Sequence, residues 1–384
     1  MKNVAIVVQN LHNGGAERMA ANMSKELAKE NKVYLIVFDS GEAIYSYGGK
    51  LIDLKVPPVE SGGVFRRILN TLKRVRRLSF IKKKYDIDLC ISHMGGANLA
   101  NILSRRKERV ISVYHSMPSK EFKADLKNRL VQRFIGKHSD CYVMVSKPAV
   151  KDMKENFGVP GDKLKCIYNF VDAEDIRKLG DEPLDKAAED FVSAHDKLLV
   201  HAGRLTALKA QYRLIILLKG LRDKGLNAGL ILLGDGEEKD GLKKKASEYG
   251  VSGHVLFTGE AKNPFSYIRR SDVFVLCSRY EGLPMVLIEA LSLKCPVVSV
   301  DMKSGAREIL APGTDTDISA EGIEYAEYGI LIQPGEDEAG ERFLLAAVYE
   351  MLENKELRRR YLDKCGEAVA NFDAKTIISQ WMNL

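Results

Sequence analysis

Short, almost wholly apolar runs alternate along this chain with longer stretches whose apolar residues recur at helical spacing. In the second half the runs are Leu198–His201, Leu230–Leu233, Val255–Phe257, Val273–Leu276, Val297–Val300 and Ile330–Ile332. Between them lie helix-length patterns at Leu208–Lys224, Glu237–Tyr249 and Pro284–Leu293. A run with no polar face needs cover on both sides, so the alternation predicts a parallel sheet flanked by helices. The first half repeats the theme with Val4–Val8, Val33–Phe38, Asp88–Ser92, Val110–Tyr114 and Cys141–Val145. The expected fold class is therefore α/β, with two Rossmann-like, doubly wound domains in tandem, residues 1–170 and 171–371. Their seam is at Ile167–Asp172, and a cleft is expected beneath it. The stretch Pro312–Tyr328 reads as a long surface loop.

Length agrees, since 384 residues exceed one ordinary core and suit two. The first apolar run stops at Gln9, far short of the about 18 residues of a membrane helix, and nothing resembles a signal peptide, so a cytoplasmic chain is expected. Six scattered cysteines without a C-x-x-C pair read as reduced core thiols.

Charge changes the picture more. The net charge of +7 conceals a polarity: residues 1–170 hold 31 Lys+Arg against 16 Asp+Glu, and residues 171–384 hold 28 against 36. Much of the excess lies in Arg66, Arg67, Lys73, Arg74, Arg76, Arg77, Lys82, Lys83 and Lys84, a segment with no acid. Phe65, Ile68, Leu69, Leu72, Val75 and Leu78 recur through it at helical spacing. Such a helix suits an anionic membrane surface or a lipid pyrophosphate; the same stripe could instead pack on the sheet. Nucleic acid is the rival anionic partner, but interleaved aromatics and a recognisable module are missing, so none is expected.

In open sheets of this kind ligands bind beyond the carboxyl ends of strands, which directs attention to the turns there. After the first strand, Gly14 and Gly15 open a helix, where backbone N–H groups can approach a phosphate. After Leu198–His201 comes Gly203-Arg204-Leu205 with Lys209, two cations suited to a diphosphate. Glu281 and Glu289 flank Gly282-Leu283-Pro284-Met285: Pro284 suits the first helical position, which puts Glu281 in the loop and Glu289 in the second turn of an apolar helix. A carboxylate so placed needs donors, and a ribose diol or a sugar supplies them; a structural salt bridge would too. Asp301–Glu308 is a further polar strand-to-helix corner. His115 follows the strand Val110–Tyr114, and His12 lies in the first loop. Each feature alone is compatible with a purely structural role.

Together, Gly14-Gly15-Ala16-Glu17-Arg18, Gly203-Arg204-Leu205 with Lys209, the Glu281 to Glu289 spacing and a closing helix over 372–384 resemble the retaining, family-4 type of glycosyltransferase with the GT-B fold, over essentially the whole chain. The resemblance implies that Arg204 and Lys209 hold the donor diphosphate, Glu281 the transferred sugar and Glu289 the ribose. It implies that the Gly14-Gly15 loop meets the phosphates and that His115 lies near the reacting centre. It implies a nucleotide-sugar donor, with uracil as the base, a glycan or lipid-linked acceptor, no metal or other cofactor, and a last helix that completes the first domain. Tyr280–Pro284 and Ser304–Glu308 resemble bacterial enzymes of capsule, O-antigen or lipid-linked glycan synthesis, which act on the inner face of the cell membrane.

Two positions depart from that pattern. Ala210 stands where many relatives have glycine, and Leu291–Lys294 lacks the usual Ala-x-Gly. Asp86-Ile87-Asp88 superficially offers the metal-binding D-x-D of the other glycosyltransferase fold, but it leads straight into a strand. A phosphorylase would want a cofactor lysine motif, and an epimerase G-x-G-x-x-G with Tyr-x-x-x-Lys; neither is present. A catalytically silent glycan-binding relative is disfavoured by intact Arg204, Lys209, Glu281 and Glu289.

Overall fold

The computed structural model describes residues 1–12, 14–41, 45–57 and 64–384, with only the backbone of Val64 and Phe65. The apolar stripe's Phe65 side chain thus lies outside the described residues. The chain divides into two compact units, Met1–Phe170 with Ala374–Leu384, and Val171–Asp373.

The first unit begins β1 (Asn3–Val8), α1 (Gly15–Leu27), β2 (Lys32–Val37) and β3 (Lys50–Asp53). The basic segment follows as α2 (Val64–Lys84), then β4 (Leu89–His93), α3 (Gly95–Leu103) and β5 (Arg109–Tyr114). It continues with α4 (Pro118–Glu121), α5 (Leu126–His138), β6 (Cys141–Met144), α6 (Lys147–Phe157) and β7 (Leu164–Cys166). The seven strands are parallel and ordered β3-β2-β1-β4-β5-β6-β7. On one side α2 packs on α3, α3 on α5 and α5 on α6.

The second unit opens with α7 (Ala173–Gly180) and α8 (Lys186–Ser193), then β8 (Lys197–Ala202), α9 (Tyr212–Asp223), β9 (Ala228–Leu233), α10 (Lys239–Glu248) and β10 (Val255–Gly259). Next come α11 (Phe265–Arg269), β11 (Val273–Leu276), α12 (Met285–Ser292), β12 (Val297–Val300) and α13 (Ala306–Leu310). It closes with β13 (Ile323–Tyr325), β14 (Ile330–Ile332), α14 (Glu338–Glu353) and α15 (Lys355–Ala370). The strand order β10-β9-β8-β11-β12-β14-β13 repeats the first unit's pattern through its fifth strand; at the far edge β14 pairs with β12 and β13 lies outside it, antiparallel. The final helix α16 (Ala374–Met382) belongs to the first unit and packs on α1 through a face that includes buried Ile377 and Trp381.

Each sheet reverses direction beside its first strand, so β1 lies next to β4 and β8 next to β11. The crossovers diverge at those points, which opens a crevice at the strand carboxyl ends within each unit.

Several expectations need correction. The closing helix starts at Ala374, and Phe372 and Asp373 stay with the second unit, where Val171 N donates to Phe372 O (3.1 Å). Pro284 caps α12 from just outside. The stretch 312–328 is no mere loop: β13 lies in it, and Glu324 with Asp301 holds the buried guanidinium of Arg307. None of the six cysteines is in a disulfide, and five are buried.

Candidate active site

The second unit gathers its charged residues at the β8/β11 reversal. Lys209 donates from Nζ to Glu281 Oε1, both side chains being largely buried. The loop that carries Lys209 is braced on all sides. Gly203 N donates to Leu233 O (2.9 Å), Leu205 N to Asp235 O (2.9 Å), Gln211 Nε2 to Arg204 O (2.9 Å) and Arg279 N to Leu208 O (2.9 Å). The turn Gly234-Asp235-Gly236, which sequence reasoning missed, lies directly behind. Gly234 adopts φ +132°, and a Cβ there would stand 2.2 Å from Gly203 O, so only glycine lets the two turns touch. Arg204 points outward, with 78% of its side chain exposed. It is a mobile-length cation at the rim, whereas Lys209 is fixed.

Glu281 is positioned from the other side. Its N–H donates to Ser304 Oγ (3.2 Å), and Gly305, at φ +67°, fits against Gly282 and Pro284 where any Cβ would clash. The polar corner 301–308 thus braces the Glu281 loop. Arg279 and Tyr212 both bond Glu336, whose carboxyl the guanidinium holds down to about 2. Glu289 is 4% exposed in the second turn of α12, with Gly282, Leu283 and Pro284 buried before it and Met285 half-buried. His201, near the end of β8, donates from Nδ1 to Val275 O (2.9 Å) and is pushed down to about 4 by burial. It is neutral beside Lys209, so it adds no charge to the constellation.

In the first unit, Gly14 caps α1 and Gly15 stands exposed, with nothing near the position a Cβ would take. Glu17 folds back against Gly14, and burial raises its carboxyl above the usual range. His115 is half-buried and does not stand alone. Its Nε2 lies 2.7 Å from Nδ1 of His93, the last residue of β4, and the rings stack with centroids 5.0 Å apart. Burial lowers both, His115 to about 4 and His93 well below its ordinary value, so the pair is neutral at physiological pH. His93 Nε2 and His115 Nδ1 are buried with no protein partner. His93 carries no sequence signal, because only the β4/β5 register, with His93 opposite Val113, brings it beside His115.

The basic helix splits along its length. Its amino-terminal half exposes Ile68, Leu69 and Leu72 with Arg66, Arg67 and Lys73, while Leu78 and Ile81 pack inward. Arg76, Arg77, Lys83 and Lys84 are exposed, and Arg74 is half-buried over the Phe38 ring. Lys82 is a correction: it is 2% exposed, pairs with Glu108 (2.6 Å) and bonds Asn101, because it follows Leu78 and Ile81 onto the inner face. Lys55, Arg66, Leu69, Lys73 and Arg77 line a concavity of about 420 Å³ beside this helix, with no acid among the described residues of its wall. Asp88 bonds Asn3 N (2.8 Å) and Asp86 pairs with Lys107 (2.6 Å), so both tie down the β4 approach.

Comparison with known proteins completes the description. Residues 13–175 match the family described as Glycosyltransferase Family 4, and residues 185–364 match glycosyl transferases group 1. An uncharacterized glycosyltransferase of Methanocaldococcus jannaschii is 30% identical over 81% of this chain and 82% of its own. This chain is a family-4 glycosyltransferase. The glycosyltransferase is also 27% identical, over 97% of its length and 96% of the other's, to a Campylobacter jejuni enzyme. That enzyme is an N-acetylgalactosamine-N,N'-diacetylbacillosaminyl-diphospho-undecaprenol 4-alpha-N-acetylgalactosaminyltransferase. Among solved structures, Anabaena HepE in complex with UDP and glucose superposes with a TM-score of 0.76 at 19% identity, covering 100% of this chain and 99% of HepE. The fold is GT-B.

Proposed function

We propose that this glycosyltransferase moves a hexose or N-acetylhexosamine from a UDP-sugar to a lipid-linked or glycan acceptor, with retention of configuration and without metal or other cofactor. The observation that carries this reading is the convergence of Lys209 and Glu281, from separate loops, at the β8/β11 reversal. Arg204 and Lys209 neutralise the leaving diphosphate, Glu281 accepts from hydroxyls of the sugar and Glu289 from the ribose. The amides of Gly14 and Gly15 at the start of α1 add donors for phosphate. The anomeric bond to the diphosphate breaks on the face where the acceptor oxygen bonds, and the acceptor's proton passes to the departing diphosphate oxygen. No covalent enzyme intermediate forms. His115, neutral, serves as a hydrogen-bonding group for the sugar rather than as a charge.

The acceptor side of the proposal draws on the first unit. Exposed Ile68, Leu69 and Leu72 interleaved with arginine and lysine suit an anionic membrane on its cytoplasmic face. The basic concavity beside them suits the diphosphate of a lipid-linked acceptor. The Campylobacter relative named for a diphospho-undecaprenol substrate, and HepE in complex with UDP, support the same reading.

A thermal-shift panel of UDP, GDP, ADP and their sugars, run with a chelator, tests the donor. A rise for the uridine series alone, lost in Glu289→Ala, is expected. A rise for another base reassigns the donor, and no rise for any nucleotide overturns the reading.

A further inference from the structure

We propose that α5, a helix the membrane reading does not use, is a second bilayer-docking element that binds anionic lipid. The proposal deepens the membrane reading above but stands on a different helix.

A helix on the surface of a folded unit ordinarily turns its large apolar residues inward. In α5 the arrangement is reversed. Leu126, Leu130, Val131 and Phe134 are 73%, 57%, 40% and 37% exposed, while the buried positions are Gln132, Ile135 and Gly136. Leu126, Leu130 and Phe134 follow one another at four-residue spacing and form a single stripe. Arg129, Arg133 and Lys137 run alongside it at the same spacing, and Lys127 lies on the other flank. No acid occurs within the helix. Long basic side chains beside an apolar stripe can reach phosphate while the stripe enters the acyl boundary.

The neighbours extend this surface. On the same side of the sheet α3, which packs on both α2 and α5, exposes Leu103. Nine of the thirteen large apolar side chains that stand exposed among the described residues belong to α2, α3 and α5. An apolar group on that scale marks an interaction surface. The occupant is chosen by charge: α2 and α5 together carry thirteen Lys and Arg and no Asp or Glu. A protein partner or a second copy of this chain would have to supply a matching acidic face, whereas a bilayer containing phosphatidylglycerol supplies one of unlimited extent.

The test is co-sedimentation of the full chain with vesicles of phosphatidylcholine, with and without phosphatidylglycerol. Three chains are compared: wild type, Leu126→Ser/Leu130→Ser/Phe134→Ser, and Arg129→Gln/Arg133→Gln/Lys137→Gln. All these positions are exposed, and unchanged melting verifies that each variant folds. Wild type is expected to bind the anionic vesicles, and each triple variant to bind about tenfold more weakly. The basic triple should also show a shallower salt dependence. Wild-type affinity in both triples overturns the proposal. So does a wild-type dimer that the apolar triple converts to monomer, because α5 would then face another copy. Ile68→Ser/Leu69→Ser/Leu72→Ser separates the two readings: normal binding by that chain, with loss in the α5 variants, leaves α5 standing and removes α2. No wild-type binding removes both.

Discussion

The two units share a strand order through their first five strands and differ in where they put charge and grease. The second unit folds its charges against one another: Lys209 with Glu281, Arg213 with Glu341, Arg279 with Glu336, and Arg307 with Asp301 and Glu324. Only Ile318 and Tyr325 of its large apolar side chains stand exposed among the described residues. The first unit carries the basic excess outward with eleven exposed large apolar side chains. On the proposed reading, one unit holds a small polyanion in fixed groups and the other meets an extended anionic surface. Precision needs paired, braced side chains; adhesion needs only the right density of cation and hydrocarbon.

The comparison can be broken most severely at Lys82, the first unit's one inward-turned cation of α2. Lys82→Met strands Glu108 in the interior and should cost about 3–5 kcal/mol, read by the fluorescence of the single tryptophan, Trp381, during urea unfolding. Lys83→Met should leave stability unchanged.

In the second unit, Lys209→Ala should lower turnover by roughly 10²–10³-fold with little change in melting, measured as sugar transfer from the donor that the shift panel selects. Equal loss of stability and activity would make the Lys209–Glu281 pair structural.

The histidine pair gives the first unit a pH response. His93 and His115 titrate lower in the folded chain than the ordinary 6.5, so the unfolded chain binds more protons between the two values. Their contribution is fully present above about pH 6.5 and is lost as pH falls toward 4. Urea unfolding followed at Trp381 should therefore show stability falling across that window, with a smaller fall in His93→Asn.

Ile68→Ser/Leu69→Ser/Leu72→Ser should weaken vesicle binding by about tenfold, while Ile318→Ser in the second unit should do nothing. The smallest effect is expected at Ala210, which holds φ +49° and is buried. Ala210→Gly relieves left-handed strain but loosens the unfolded chain and loses a buried methyl, so the free energy of urea unfolding should change by less than about 1 kcal/mol.

Legibility followed burial. Val273–Leu276, Val297–Val300 and Ile330–Ile332 appear in the structure with the bounds that their apolar runs predict, since a strand covered on both faces has no polar positions to blur it. The edge strands Lys50–Asp53 and Ile323–Tyr325 escaped notice, being short and half polar. The basic helix was visible, yet Lys82 was misassigned because a count of charges ignores helical phase. The stripe in α5 was equally readable at four-residue spacing but is too short to dominate composition. His93 and the Gly234–Gly236 turn depend on strand register and tight backbone approach, which no local pattern encodes.

The membership of α16 in the first unit has a consequence for the order in which the protein can be made. Residues 171–373 are synthesised whole before Trp381 emerges, so the second unit can complete its core on the ribosome while the first still lacks the helix that packs on α1. The unit begun first is finished last. A nascent chain arrested just after residue 373 would carry a complete second unit and a first unit whose α1 flank remains uncovered, and chaperone contact should concentrate on that flank.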